Sequence, residues 1–356
     1  MLYKVVPVFT SSVFERYKFY RDYVNHDYII SVSSTILKPF FCRDVNSIMK
    51  KITLALGGGG IKGFAHIGVI RQLLNEGFEI AAIAGTSVGG IVGALYAAGF
   101  STQEMEEFSR SLNFQKIINR APNDAPSLVG LQGLFDFLNE KLGDMSFKGL
   151  KIPFVSTAVD INTGREIIIN TGKILPAIQA TTAIPGLFPA VRMEGMNLVD
   201  GGVLDPVPVS PARWLFPDYP IVAVSLSVPN SEWGLAEKIQ MPSYVRVPDF
   251  LIQHFTHMRL SQAMQIFIDS NDVMSNMIAE LRLRIEKPDV LLHPKVYKYS
   301  LMDLIDLDDA IAYGEESVRE SLNDINASFS AFKRLNRWMR PSYMKGTLLS
   351  EVVEPG

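Results

Sequence analysis

The chain has 356 residues, 47% of them hydrophobic, and a formal net charge of −3. It is long enough for one large hydrophobic core, or one core with appendages, and its charge lacks the basic excess that marks nucleic-acid-binding proteins. A single cysteine, Cys42, excludes intramolecular disulfides and cysteine-rich zinc sites, and the histidines show no metal-ligand spacing.

Residues 1–48 stand before the region in which predicted strands and helices alternate. They are rich in aromatic residues, and Met49-Lys50-Lys51 directly before the first strand looks like a start of translation. We expect residues 1–48 to be an N-terminal extension of uncertain fold or the product of a misannotated start. Since no N-terminal stretch has the basic, apolar and small-residue order of a signal peptide, we expect a cytoplasmic protein.

A glycine-rich loop follows the first predicted strand. Residues 52–56 alternate β-branched and apolar side chains, which predicts a buried strand, and Gly57 to Gly60 come next. The apolar spacing after Gly63 predicts a helix that ends near Gly77. Consecutive glycines expose backbone N–H groups, which suits an oxyanion or a phosphate.

The same loop can be compared with two nucleotide-binding motifs. Gly58, Gly60 and Gly63 fit the G-x-G-x-x-G fingerprint of dinucleotide-binding folds. That fingerprint needs an acidic residue at the far end of the second strand, whereas Glu76 and Glu79 lie before that strand. A Walker A motif is excluded because Lys62 is followed by glycine rather than by serine or threonine.

Ser87 lies between an apolar run at 80–84 and a helix-like run at 91–98, within the sequence Gly85-Thr86-Ser87-Val88-Gly89. A G-x-S-x-G elbow needs small neighbours because the backbone of the nucleophile is strained. Such a turn aims the hydroxyl at a helix N-terminus, where negative charge is favoured. The alternative is a tight strand-to-helix turn without chemistry.

Residues 80–100 contain no charged side chain and would be flagged as a membrane span by hydropathy. We reject that interpretation because the segment contains several glycines and Ser87. A buried strand followed by a buried helix explains it, as central elements of α/β proteins are apolar on every side. Downstream, residues 114–133 predict a loop-rich insertion in which a lid could lie.

An aspartate follows a short predicted strand at 197–199. Asp200 is followed by Gly201 and Gly202, which predicts a tight turn with room around the carboxylate. An ordinary Asp-Gly hairpin is the alternative, and Pro206 and Pro208 disfavour it.

The histidines leave a Ser–Asp–His triad open, because three of them follow Asp200. His254 and His257 lie three apart in a predicted helix and suit packing or surface roles. His293 follows an apolar strand at 290–292 and has a more site-like position. His66 is expected to pack in the first helix.

The C-terminal residues 319–356 predict an amphipathic helix and a tail. Apolar residues spaced 4, 3, 3 and 4 apart share one helix face: Ile325, Phe329, Phe332, Leu335 and Met339. Basic residues lie on the other faces: Lys333, Arg334, Arg337 and Arg340. The pattern favours a helix packed on the core, and docking on an anionic membrane surface is the alternative.

Three motifs in this order resemble those of the patatin-like phospholipase family. They are Gly58-Gly59-Gly60-Ile61-Lys62-Gly63, Gly85-Thr86-Ser87-Val88-Gly89 and Asp200-Gly201-Gly202. Residues 154–164 look like the family's mid-domain strand and turn, and residues 180–189 like its segment before the aspartate. The resemblance is close over 52–208 and extends weakly to about residue 314.

The alternation of strands and helices predicts an α/β fold: a doubly wound, mostly parallel central sheet with helices on both faces. We expect the hydrolase domain to span residues 49–318. The resemblance implies a Ser–Asp dyad with Ser87 as nucleophile and Asp200 as general base, and no metal or other cofactor. It further implies an oxyanion hole at Gly58, Gly59 and Gly60. The supporting motif residues are Lys62, Gly63, Gly85, Gly89, Gly201 and Gly202.

The expected function is hydrolysis of a lipid acyl ester through an acyl-serine intermediate. The expected partner is a lipid or acyl-ester substrate, with peripheral membrane contact as an option and no nucleic acid. Three alternatives remain: a short-chain esterase or thioesterase, a catalytically silent lipid-binding protein, and a module that uses the glycine-rich loop to bind a phosphate or nucleotide.

Overall fold

The structure is a computed structural model that describes residues 50–112, 131–229, 258–299, 305–340 and 346–349. For residues 258–265, 268 and 269 only the backbone is described. The chain divides into two units, Met1–Ile48 and Met49–Gly356, and every described residue belongs to the second.

The described strands form one mixed, mostly parallel sheet. They are β1 (Lys50–Leu56), β2 (Phe78–Gly85), β3 (Phe154–Asp160), β4 (Arg165–Ile169), β5 (Val191–Met193), β6 (Met196–Asp200), β7 (Ile221–Val224), β8 (Val290–Leu292) and β9 (Thr347–Leu348). The strand order is β5-β6-β3-β2-β1-β7-β8, and β4 pairs with both β3 and β9. Within the spatial order β3-β2-β1-β7-β8, neighbouring strands run parallel to each other. The strands β4 and β6 are antiparallel to β3. The predicted α/β fold is thereby confirmed.

Helices connect the strands and cover the sheet. They are α1 (Ala65–Asn75), α2 (Val88–Ala98), α3 (Thr102–Ser111), α4 (Gln132–Leu142), α5 (Ile174–Thr181), α6 (Val209–Leu215), α7 (Met258–Glu286), α8 (Leu307–Glu320), α9 (Leu322–Ala327) and α10 (Ala331–Met339). Short 3-10 helices occur at Gly60–Phe64, Phe147–Gly149, Gly201–Val203 and Lys295–Lys298.

The apolar segment at 80–100 is a strand followed by a helix, as expected. β2 is largely buried and α2 begins directly after the elbow, so the run of uncharged residues reflects burial on both faces of a parallel sheet. Among the described residues, no helix is long and apolar enough to span a membrane.

The register along β3 positions the site. One edge of β3 pairs with β4 over Ser156–Asp160. The other edge pairs first with β2, whose Gly85 lies opposite Ser156, and then with β6, whose Asp200 lies opposite Ala158. Since β6 runs antiparallel to β2, the two carboxyl ends approach each other along one edge, two residues of β3 apart, which is roughly 7 Å.

The structure corrects the prediction for the C-terminal segment, and it leaves most of the predicted insertion undescribed. The amphipathic pattern after residue 319 is interrupted rather than continuous, because α9 ends at Ala327 and α10 begins only at Ala331. The predicted loop-rich insertion at 114–133 falls outside the described residues up to residue 130, and its last two residues begin α4.

Candidate active site

Ser87 occupies a strained turn between β2 and α2. Its φ of 54° and ψ of −124° are unusual for a residue with a side chain. A Cβ atom on Gly85 would collide with the carbonyl of Gly89, and one on Gly89 would collide with the carbonyl of Leu56. The requirement for small neighbours on both sides matches a nucleophile elbow rather than an ordinary turn.

The Thr86–Ser87 turn is fixed by contacts with α5, with β3 and with the segment that follows Asp200. The Ser87 N–H donates to the Thr181 hydroxyl at the end of α5, over 2.9 Å. The preceding Thr86 places its hydroxyl 2.7 Å from that of Thr157 on β3 and donates to the Asp205 carbonyl over 2.9 Å. The turn is therefore held by hydrogen bonds that a local sequence pattern does not show.

Asp200 lies at the end of β6 with 5% of its surface exposed, and it lines the same cavity as Ser87. The Gly202 N–H donates to Asp200 Oδ1 over 2.7 Å. Burial raises the pKa of Asp200 to about 6, although the nearby Ser87 hydroxyl and the Gly202 N–H lower it. A carboxylate with this pKa is a better proton acceptor than an exposed aspartate and is still ionised at neutral pH.

The glycine-rich loop turns toward Ser87, and its amides are not all available. The Gly57 N–H donates to the Val224 carbonyl over 3.0 Å, and the Gly58 N–H donates to the Pro206 carbonyl over 2.9 Å. The prediction that Gly58 supplies an oxyanion donor is therefore wrong, because its N–H group is already used.

The amides of Gly59 and Gly60 make no hydrogen bond with the described part of the chain. Both residues have positive φ, 155° for Gly59 and 58° for Gly60, a backbone conformation that favours glycine. They line the same cavity as Ser87. These two N–H groups are thus the loop's candidates for binding an oxyanion.

His66 has a role that sequence reasoning missed. It is fully buried in α1, and its Nε2 donates to the Gly57 carbonyl over 2.8 Å. Burial lowers the pKa of His66 to about 4, so the ring is neutral at pH 7. The side chain therefore anchors the start of the glycine-rich loop; a histidine shortly after four glycines was the available signal.

A cavity of about 220 Å³ contains Ser87 and Asp200. The apolar part of its lining comes from four segments that are distant in sequence: Ile184, Pro185, Leu187, Val203, Pro206, Leu226, Phe267, Met274 and Ile278. Lys62 also lines the cavity and is mostly buried. The contribution of α7 was not anticipated, because nothing in its sequence indicates which element it covers.

Two other predicted motif residues, Gly63 and Gly201, have packing roles. Gly63 allows the 3-10 helix at Gly60–Phe64 to contact Val88 of α2, where a Cβ atom would collide. Gly201 similarly permits contact with Thr157. These glycines allow the three motifs to pack closely together around Ser87.

The described lining of the cavity contains no histidine. His293 follows β8 and is half-buried, and it is not one of these lining residues. His254 and His257 lie outside the described residues. Within the described ranges, no group of three His, Cys, Asp or Glu side chains could hold a metal ion.

A family model of patatin-like phospholipases matches residues 54–213. An uncharacterised NTE family protein of Mycobacterium tuberculosis is 34% identical over 201 residues, which are 56% of this chain and 54% of that protein. Lysophospholipase NTE1 of Cryptococcus neoformans is 30% identical over 171 residues, which are 46% of this chain and 10% of that protein. The chain thus spans about half the length of its mycobacterial relative.

Among solved structures, VipD from Legionella pneumophila superposes with a TM-score of 0.46 at 10% identity, over 78% of this chain and 67% of VipD. At these values the likeness supports no conclusion about function.

Proposed function

Residues 54–213 form a patatin-like phospholipase domain, and from this premise we propose that the protein is a serine hydrolase that cleaves lipid acyl esters through an acyl-Ser87 intermediate. The observation that carries the proposal is that Ser87, on its strained turn, and the buried carboxylate of Asp200 line the same cavity. This pair lies in a mostly apolar cavity, beside the amides of Gly59 and Gly60, which make no hydrogen bond with the described part of the chain.

In the proposed reaction, Asp200 accepts the proton of Ser87 while Oγ attacks the carbonyl carbon of the ester. The N–H groups of Gly59 and Gly60 stabilise the oxyanion of the tetrahedral intermediate. The intermediate collapses, and the leaving alcohol takes the proton from Asp200. Water then loses a proton to Asp200 and attacks the acyl-enzyme. The bond between the acyl carbon and Ser87 Oγ breaks, Oγ takes the proton back from Asp200, and the fatty acid leaves.

The size and lining of the cavity support a substrate with one acyl chain. Ligand pockets commonly measure ~300–1,000 Å³, so a cavity of about 220 Å³ suits part of a single chain. A relative from Cryptococcus neoformans is named a lysophospholipase. We propose a lysophospholipid as the substrate class, with the chain lying against the residues contributed by α7.

The small cavity also suits a short acyl group, so a short-chain esterase or thioesterase is the second candidate. A series of p-nitrophenyl esters of increasing chain length distinguishes the two. Rising kcat/KM up to medium or long chains supports lipid hydrolysis, and a maximum at acetate or butyrate supports the esterase.

Labelling with a fluorophosphonate probe, followed by mass mapping, tests the nucleophile. We expect modification of Ser87 in the wild type and none in Ser87→Ala. Ser227 provides a matched control, since it lines the same cavity and is not assigned to the catalytic pair. Ser227→Ala should be labelled normally, and labelling of Ser87→Ala at another residue would contradict the proposal.

Fatty acid released from lysophosphatidylcholine, measured by mass spectrometry, tests the substrate class. We expect turnover by the wild type and none by Ser87→Ala. Labelling of Ser87 without release of fatty acid from any lipid would retain the serine hydrolase and reject the lipid substrate.

A further inference from the structure

A buried cluster of charges lies beneath the C-terminal half of α7. The guanidinium of Arg282 forms ion pairs with Asp205 over 2.7 Å, Glu286 over 2.8 Å and Glu166 over 3.1 Å. The four side chains are 14% exposed for Arg282 and at most 5% exposed for the carboxylates. They come from α7, from β4 and from the segment that follows Asp200.

The cluster contains three carboxyl groups and one guanidinium, so full ionisation would leave a buried excess of negative charge. Burial and the charge of Glu166 raise the pKa of Asp205 well above its usual range, against the opposing effect of Arg282.

The backbone of Asp205 connects the two catalytic segments. Its N–H donates to the carbonyl of Gly201, which follows Asp200, over 2.8 Å. Its carbonyl accepts from the hydroxyl of Thr86, which precedes Ser87, over 2.9 Å. The backbone of Asp205 is therefore hydrogen-bonded to the neighbour of the nucleophile and to the neighbour of the base, and its side chain forms an ion pair with Arg282.

Arg282 also belongs to the helix that forms one wall of the cavity. Phe267, Met274 and Ile278 of α7 line that cavity, and Ile278 lies one helical turn before Arg282. The Glu286 carboxylate fixes the end of the same helix by accepting from the Ser210 N–H over 2.8 Å. A displacement of Arg282 would therefore move the wall relative to the catalytic pair.

We propose that Arg282 is a positioning residue that fixes the α7 wall of the cavity relative to Ser87 and Asp200 through its ion pair with Asp205. The inference rests on the proposed function and concerns the acyl chain, which lies against that wall. Substrates whose chain reaches the wall should depend on Arg282 more than substrates whose chain is too short to reach it.

The experiment compares Arg282→Met with Arg284→Met, its matched control. Methionine keeps most of the side-chain length, and Arg284 is an exposed arginine on the same helix, paired only with Glu280 in the described structure. Values of kcat and KM are measured with p-nitrophenyl acetate and p-nitrophenyl octanoate, and the folded fraction is determined by circular dichroism.

For Arg282→Met we expect kcat/KM for the octanoate ester to fall on the order of 10²-fold, the loss typical of a misplaced reacting group. For the acetate ester, kcat/KM should fall by less than about 10-fold, a tenth of the loss expected for the octanoate ester. Arg284→Met should match the wild type with both esters, and Arg282→Lys should recover part of the octanoate activity.

A purely structural role predicts another pattern, since removing one partner of a buried ion pair is strongly destabilising. Equal losses for both esters, in proportion to the unfolded fraction, would overturn the proposal, as would wild-type kinetics in Arg282→Met. If Arg282→Met does not fold, Asp205→Asn and Asp205→Leu replace it. The asparagine variant keeps an acceptor for Arg282 and should retain more of the chain-length preference than the leucine variant; equal preferences would overturn the proposal.

Failure of the proposed function is distinguishable from failure of this inference. A wild-type protein that hydrolyses no ester rejects the function and the inference with it. An active wild type whose Arg282→Met and Arg284→Met variants behave alike rejects the inference alone.

Discussion

Asp200 shows how burial changes the chemistry of a single carboxyl group. At its ordinary pKa near 3.9 an aspartate is a weak base for an alcohol. Its burial at the end of β6 raises the pKa to about 6, and the nearby Ser87 hydroxyl and the Gly202 N–H limit the rise. The group is thus ionised at neutral pH and has gained basicity, which is the condition a general base requires.

The pH dependence of the reaction follows from this value. Only the ionised form of Asp200 can accept the serine proton, so kcat/KM should fall as pH decreases through about 6. The measurement is hydrolysis of a soluble ester between pH 4.5 and 9. A profile that is flat down to pH 4.5 would show that Asp200 does not limit the rate as a base.

Replacing Asp200 with asparagine should lower the activity of the enzyme without lowering the stability of its fold. The variant loses the base, so turnover should fall by ~10²-fold or more. His293→Ala is the matched test of a triad and should keep most activity, since His293 is absent from the described lining of the cavity. An equal loss in both variants would require a histidine in the mechanism.

The Asp200→Asn variant should be more stable than the wild type at high pH. The pKa of Asp200 is higher in the folded protein than in the unfolded chain, so the neutral carboxyl group favours folding and the charged one opposes it. This contribution to stability is complete at pH values below the unfolded-state pKa and is lost as the pH rises through about 6. At pH 8 the buried charge opposes folding by roughly 3 kcal/mol at most, from about 1.4 kcal/mol per pKa unit. Urea denaturation at pH 8 should therefore give Asp200→Asn the higher unfolding free energy.

At the scale of elements, α10 differs from the amphipathic helix that the sequence pattern predicts. The residues Ile325 and Phe329, expected on the same face, lie before α10, and Ile325 is fully buried. Arg337, expected on a polar face, is buried and pairs with Asp289 over 3.3 Å. It also donates to the Ser328 carbonyl over 2.8 Å, which attaches α10 to the turn before it.

Arg337 and Arg334 should therefore differ in their effect on stability. Arg337→Gln leaves the buried Asp289 carboxylate without its cation and should lower the unfolding free energy by about 3 kcal/mol. Arg334→Gln changes a residue on the exposed side of α10 and should have an effect within about 0.5 kcal/mol. Equal midpoints in thermal or urea unfolding would show that the Arg337 ion pair contributes little.

At the scale of the whole molecule, exposed apolar side chains are concentrated on two helices. Most of the large apolar residues exposed in the described structure lie on α7 and α10. Arg340, directly after α10, donates to the carbonyl of Lys287, directly after α7, so these two helix ends are neighbours. On α10, Phe332 is 70% and Trp338 is 75% exposed, and Lys333 lies beside Phe332.

We predict that α10 contacts anionic membranes. Each basic residue near such a surface contributes about 1 kcal/mol, so Lys333→Gln with Arg334→Gln should weaken binding to anionic vesicles roughly 30-fold. Arg337 is left intact because its role is internal. The measurement is vesicle co-sedimentation with added salt as a control, and hydrolysis of soluble esters should be unchanged. Equal sedimentation of both proteins would leave α10 as a packing helix.

The sequence by itself determined the local features of this protein. Four consecutive glycines, a serine between small residues and an aspartate followed by two glycines each impose a backbone conformation within a few residues. The strands β1 and β2 and the helix α2 follow from apolar runs and their boundaries. Such features depend on local φ and ψ preferences and on periodic burial, which the neighbouring residues encode.

The tertiary structure decided which of these features meet and how their chemistry is altered. The approach of Ser87 to Asp200 depends on the register of β2 and β6 along one edge of β3, which no local pattern specifies. The use of the Gly58 amide by Pro206 and the raised pKa of Asp200 depend on atoms far away in the chain. Desolvation and hydrogen-bond pairing are properties of the packed molecule, and they are absent until its segments have come together.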